Sequence, residues 1–147
     1  MLERQHIVDT ARSWLGTPFR HQGRSKATGV DCIGLILGVY GECGVQLIAP
    51  ANYAESPSSN LVLGYTQRQA IEVPKKELRP GTVAVLWGWD RNEAQHFGFV
   101  GAAAGRPTLI HAFSRAGKVI ENSWDTFWLR RLVSVYELPG TAPMEAK

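Results

Sequence analysis

The feature that most constrains this chain is a change of hydrophobic period partway along it. Over residues 4 to about 15, Ile7, Val8, Ala11, Trp14 and Leu15 recur at helical spacing. From Cys32 to about Cys43, Leu35, Ile36, Val39 and Tyr40 do the same. Gly16 and Pro18 supply stop signals for the first helix and Gly44 for the second. Beyond residue 80 the texture turns to short apolar or β-branched runs: Thr82–Trp87, Phe97–Ala102, Thr108–Phe113, Lys118–Asn122 and Val133–Leu138. Gly, Pro or polar turns separate them. Helices first and strands after is the α+β pattern, with helices packed on an antiparallel sheet. Between these regions, residues 16–31 read as a polar, glycine-rich loop. Residues 49–66, rich in Ser, Pro, Asn and Ala, read as a long loop with a short helix around 64–71. No repeat or linker divides the chain, so one domain is expected over 1–147, with its core at about 5–138.

Composition narrows the class. The 147 residues are 44% hydrophobic and 20% charged, which excludes a disordered tail, a collagen-like repeat and a coiled coil. The apolar runs fall far short of the roughly 20 residues of a membrane-spanning helix. The N-terminus has no apolar stretch before a small-residue cleavage site, so no secretory signal and no membrane anchor are expected. The net charge of +3 is mild and its Lys and Arg residues are dispersed, unlike the basic stripe of a nucleic-acid binder. The two cysteines, Cys32 and Cys43, lie eleven residues apart in a helical segment. A rise of about 1.5 Å per residue separates them by roughly 16 Å. A disulfide needs Cα atoms within about 7 Å, so they cannot pair there.

Cys32 carries the chemical interest. A buried cysteine is ordinarily a small hydrophobe, and Cys43 at the far end of its helix reads that way. Cys32 instead opens a helix after a glycine-rich loop, beside Asp31, a candidate N-cap. Unpaired N–H groups and the helix dipole at that end favour a thiolate, the nucleophilic form. The Asp31 charge opposes ionisation unless its carboxylate turns away to cap the helix. A thiol nucleophile needs a base, and the base needs an orienting partner. His96 and His111 lie in two strand-like runs, HFGFV and TLIHAF. Neighbouring antiparallel strands bring side chains within about 5 Å. His96 is thus placed to contact the thiol while His111 holds its other ring nitrogen. Each histidine is equally compatible with a satisfied, half-buried structural role. Zinc is the competing use of Cys and His, but no C-x-x-C or H-x-x-x-H pair is present. A Cys/His/His site with an open position is the zinc alternative; no metal and no cofactor are expected, and phosphate-loop and dinucleotide fingerprints are absent.

Read in order, the blocks ARSWLGTPFRHQG, GVDCIGL, RPGTVAVLW, QHFGFV and LIHAF resemble the NlpC/P60 family of cysteine peptidases, which cut bacterial cell-wall peptides. The likeness runs from about residue 5 to 138. It implies a papain-like fold and a Cys-His-His triad, with Cys32 as nucleophile, His96 as general base and His111 as its orienting residue. The Cys32 N–H becomes one oxyanion donor. Where the family often has a tyrosine, this chain has Phe19. Its lost hydroxyl leaves His21 as a substitute donor. Ile33 replaces the usual Ser and Thr82 the usual Asp. Asp31 fits the motif as a cap or substrate contact. Arg20, Arg24 or Lys26 are candidates to bind the free carboxylates of a stem peptide.

The TPFRHQ variant resembles the phage-encoded branch. That implies a peptidoglycan peptide as partner, phage tail proteins as further partners, and a virion tail or released protein acting on the cell wall. The alternatives are a non-enzymatic tail-tip component with a weakened site, or a related thiol amidase or acyltransferase. Trp87, Trp89, Trp124, Phe127 and Trp128 serve as core or as a substrate wall.

Overall fold

The computed structural model describes residues 1–48, 69–88, 94–138 and 140–144. Helix α1 (Arg4–Arg12) buries Ile7, Val8 and Ala11. It stops three residues before the apolar period suggests. Ser13 caps it, and the chain turns through Gly16 at φ 86, a left-handed conformation that glycine adopts without strain. The loop that follows is not featureless. It folds back as a two-stranded pair, β1 (Arg24–Ser25) with β2 (Gly29–Val30). Helix α2 (Cys32–Glu42) begins directly after it, with Asp31 as N-cap and Cys43 as C-cap.

The rest is mainly sheet. β3 (Ile71–Val73), β4 (Val83–Trp87), β5 (Ala94–Ala103), β6 (Arg106–Phe113), β7 (Lys118–Ser123) and β8 (Leu132–Glu137) form six strands in the order β3-β8-β4-β5-β6-β7. Every neighbour is antiparallel. The expected runs near 82, 97, 108, 118 and 133 are all strands. The edge strand β3 and the short helix α3 (Thr126–Leu129) were not expected. Both are too short for a period to show in sequence. Ile71, the last residue of the helix expected around 64–71, begins β3; residues 64–68 and the loop 49–66 lie outside the described residues.

Period-two alternation gives the sheet two apolar faces. Val83, Val85, Phe97, Phe99, Ile110 and Val119 pack with α1 and α2. Ala84, Leu86, Val100, Leu109 and Val135 pack with Trp124 and Trp128. Phe99, Leu35 and Tyr40 are fully buried; burying each such side chain stabilises the fold by about 1.5–3 kcal/mol. Trp14, just past α1, lies on Gly38 of α2, where a Cβ would meet the indole at 2.4 Å. Along the free edge of β7, the Gly16–Phe19 segment adds backbone hydrogen bonds: Gly16 N–H to Val119 O, Val119 N–H to Thr17 O and Phe19 N–H to Gly117 O. This covers an edge otherwise open to pairing. It also ties the loop before Cys32 to the sheet carrying the histidines.

Candidate active site

The start of α2 is built by Asp31. One carboxylate oxygen accepts from Gly34 N–H at 2.8 Å, closing the N-cap, and the other accepts from Gln22 N–H at 2.8 Å. Arg24 reaches the same carboxylate at 3.4 Å. One buried side chain thus fastens the preceding loop to the helix. Gln22 takes up φ 58 to make the approach. The glycine two residues after the cysteine has a steric reason. A Cβ on Gly34 would lie 2.0 Å from the Gly23 carbonyl oxygen, a clash with backbone that no rotamer relieves.

The sheet end of the site is made where two strands stop pairing. The β5–β6 ladder runs from Ala103↔Arg106 to Phe99↔Ile110 and ends there. The Phe97 N–H, on the side of β5 that faces β6, is left free of that ladder and favours the Cys32 thiolate. Beside it, the β4–β5 register slips between Leu86 and Trp87, immediately past the Leu86↔His96 pair. Such irregularities re-aim side chains at sites. Gly98 stands across from His111. A Cβ there would sit 3.1 Å from the His111 Cβ and 2.5 Å from Leu109 Cδ1. The glycine of HFGFV therefore makes room for the imidazole on the next strand.

The two histidines meet. His96 Nε2 and His111 Nδ1 are 2.7 Å apart, and the rings stand edge to face with centroids 5.0 Å apart. The far nitrogen of His111, Nε2, lies 2.6 Å from Asn122 Oδ1. Asn122 is a residue the sequence reading did not single out. It ends the run Lys118–Asn122, and only the β6–β7 register, Leu109↔Asn122 and His111↔Ile120, brings it diagonally to His111. Trp128 on α3 closes edge-on over His111 at 4.7 Å, and Phe113 stacks on it at 5.3 Å.

His111 is fully buried and Cys32 nearly so, while His96 and Asn122 are half-buried. Burial and the Asp31 charge push the Cys32 thiol up to about 12, against the opposing pull of the Phe97, Ile33 and Cys32 N–H groups. The expectation that the helix start favours a thiolate is thus overridden by desolvation. Burial, with His111 nearby, holds His96 well below the usual imidazole range. Burial lowers His111 to about 4, although the Asn122 hydrogen bond opposes the shift. With one nitrogen of His96 and both of His111 engaged by His111, His96 and Asn122, these rings offer little to a metal. Among the described residues no group of three or more His, Cys, Asp or Glu is placed to hold one.

The remaining candidates divide. Phe19 packs against the helical core, so the tyrosine position is filled by an apolar side chain. Arg20 is exposed and His21 half-buried, in the segment that Gln22 and Gly23 press onto the start of α2. Arg24 is engaged by Asp31. Lys26 does not face the site: its ammonium pairs with Glu42, the last residue of α2, and lies over the Trp14 ring at 5.0 Å. Its proposed contact with substrate is corrected by that geometry. Of the aromatic wall, Trp124 and Trp128 are buried, Trp87 is half-buried and Phe127 is 43% exposed. Trp89 lies outside the described residues. Both cysteines are free. No described helix is long and apolar enough to cross a membrane.

Comparison with known proteins identifies the family and the fold. The sequence profile of the NlpC/P60 family matches residues 16–137. A search of curated proteins finds no match. Among solved structures, a Staphylococcus aureus lipoprotein-like NLP/P60 protein superposes with TM-score 0.66 at 19% identity, over 92% of this chain and 41% of that one. The NlpC/p60 domain of the peptidoglycan hydrolase SagA does so with TM-score 0.65 at 18% identity, over 92% of this chain and 98% of that domain. Ly7917, solved with the hydrolysing product of MDP, matches at TM-score 0.59 and 15% identity, over 93% and 63%. At these identities the structures establish a shared papain-like fold. The chain spans about two fifths of the staphylococcal protein, 41% of its length.

Proposed function

The chain belongs to the NlpC/P60 family of peptidoglycan hydrolase-like domains, and from that premise we propose that it is a cysteine endopeptidase that hydrolyses an amide bond in peptidoglycan stem peptides. What supports this reading is the His96–His111 hydrogen bond, together with Cys32 at the start of α2 interacting with the backbone of Phe97, the residue next to His96. Cys32 is the nucleophile. Because thiol and imidazole are both neutral at rest, His96 takes the thiol proton as the sulfur attacks the carbonyl carbon. The negative charge that develops on the carbonyl oxygen is met by the Cys32 N–H at the helix start. His96 then gives its proton to the leaving amine. A water deprotonated by His96 releases the acyl group and restores the thiol. His111 holds the His96 ring and stabilises its transient charge.

Two features support the substrate class. SagA is a peptidoglycan hydrolase by its printed description, and Ly7917 holds a hydrolysis product of MDP. Exposed Arg20 lies in the segment over the helix start, suited to a free carboxylate of a stem peptide. The TPFRHQ segment keeps a phage or prophage origin, with tail proteins as partners and the cell wall as the place of action, as the finer proposal.

The test is turnover of purified peptidoglycan fragments by wild type and Cys32→Ala. Loss of at least about 10³-fold in kcat/KM is expected when a nucleophile is removed. Retained turnover in Cys32→Ala overturns the reading. A folded wild type with no turnover on any stem peptide favours a binding role at a tail tip.

A further inference from the structure

The neutral His96–His111 pair has two possible directions of hydrogen bonding, and only one of them is useful for catalysis. Each neutral imidazole carries one N–H and one lone pair. In one direction His111 Nε2 carries the proton, His111 Nδ1 accepts from His96 Nε2–H, and His96 is left with its lone pair on Nδ1. In the other, His111 donates from Nδ1, and His96 Nδ1 carries the proton. With His96 Nε2 engaged by His111, Nδ1 is the nitrogen left for Cys32. A base must present a lone pair there, so the second direction disables it.

Asn122 decides between them. Its amide nitrogen donates to the Ser123 carbonyl at 3.0 Å, which turns the amide oxygen towards His111 Nε2 at 2.6 Å. An amide oxygen only accepts. His111 Nε2 must therefore carry the proton, and the rest of the row follows.

We propose that Asn122 is a positioning residue whose amide, oriented by the Ser123 carbonyl, sets the tautomers of His111 and His96 so that His96 presents its Nδ1 lone pair to Cys32. The inference rests on the reading of Cys32 and His96 as nucleophile and base. Asn122 touches no reacting atom and acts through two rings. The surroundings leave it this role. His96 from β5 and Asn122 from β7 bond His111, while Phe113 and Trp128 cover it with uncharged rings. From α2 the site receives the Cys32 thiol and, behind it, the Asp31 carboxylate. Glu121, the charged neighbour on β7, is held by Arg12 and Thr108.

The experiment reads tautomers and turnover separately. Imidazole 15N shifts of histidine-labelled, substrate-free protein report which ring nitrogen is protonated, with His6→Gln and His21→Gln used for assignment. Wild type is expected to show Nε2–H on both His96 and His111. Asn122→Asp keeps an acceptor of the same shape. It should keep both tautomers, retain turnover, and move the acidic limb of the kcat/KM profile to higher pH, because a carboxylate favours protonated His111. Asn122→Leu removes the acceptor. It should mix the tautomers and lower kcat by about 10- to 1000-fold with little change in KM; a catalytic imidazole held in the wrong tautomer loses up to about 10⁴-fold. Unchanged tautomers in Asn122→Leu overturn the proposal, even if turnover falls, since the loss is then structural. The peptidase reading fails independently, when wild type turns over no stem peptide; the 15N pattern still judges Asn122 in that case.

Discussion

Glu121 and Asn122 are neighbours on the edge strand β7, and they serve opposite faces of the sheet in opposite ways. Glu121 turns towards the helices. Its carboxylate takes a two-point contact from Arg12 of α1, at 3.0 and 2.9 Å, and a hydroxyl from Thr108 at 2.7 Å. That assembly is ionic: pairing with Arg12 lowers the Glu121 carboxyl and raises Arg12. Asn122 turns to the other face and begins a row of neutral groups, Asn122–His111–His96, under Trp128. The first assembly is half in water, with side-chain exposures of 30% and 19%, where charges cost little to keep and screening limits their worth. The second centres on His111, which is fully buried, where a fixed charge is costly and a proton can be moved instead. One residue along a strand separates a staple from a candidate proton relay.

Replacing the relay's centre tests this contrast most strongly. His111→Leu fills the site with an apolar side chain and should lower kcat/KM by about 10²–10⁴-fold, the range for losing support of a general base. Its thermal stability at pH 7 should change much less, because a well-packed apolar side chain substitutes for a neutral buried ring. Steady-state kinetics beside calorimetry checks both; equal turnover in the variant breaks the distinction.

Acid should separate the two assemblies next. In the unfolded chain His111 takes up a proton near pH 6.5, whereas folded it does so only near pH 4. Between those values the unfolded state binds more protons, so stability falls as pH drops through the window. At about 1.4 kcal/mol per unit the loss is on the order of 3 kcal/mol, and His96 adds to it in the same direction. Glu121 is lowered below the usual 4.5, so its stabilisation is lost only further down, as pH falls through its folded value. Urea midpoints from pH 7 to 4 should therefore decline in wild type and decline less in His111→Leu, where only His96 still contributes. A flat wild-type curve contradicts a neutral, buried relay.

Gly98→Ala comes third. Its Cβ would press on Leu109 and His111, and overpacking of this kind costs about 1–3 kcal/mol. Denaturant unfolding reads that cost, and turnover should fall with it because the His111 ring must shift. Smallest is Glu121→Gln. Half-exposed ion pairs contribute at most about 1 kcal/mol, so the midpoint should move slightly. The kcat/KM pH profile should stay where it is; a moved profile would join the two faces.

The site is partly legible in the chain. Cys32 was marked by a helix start and Asp31, and His96 and His111 by their strand runs. Gly34 and Gly98 stood in plain view in DCIGL and HFGFV without a stated reason. The reason is an approach of a carbonyl or a ring from a distant segment, which no local pattern encodes. Lys26 was grouped with Arg20 and Arg24 by proximity in sequence, and the β1–β2 turn carried it to Glu42 instead.

Period, stop signals and turn chemistry are local properties, so the sequence by itself determined two helices, the later strands, the α+β class and the order of the reactive residues along them. Register, burial and the direction of a hydrogen bond are relations between distant segments. Only the tertiary structure decided that β5 and β6 stop pairing beside the thiol, that Cys32 is held neutral by desolvation despite its helix start, and that Asn122 rather than its neighbour Glu121 meets His111. The physical reason is the strand's period of two: a slip of one residue would have handed a carboxylate to the histidine and an amide to the arginine.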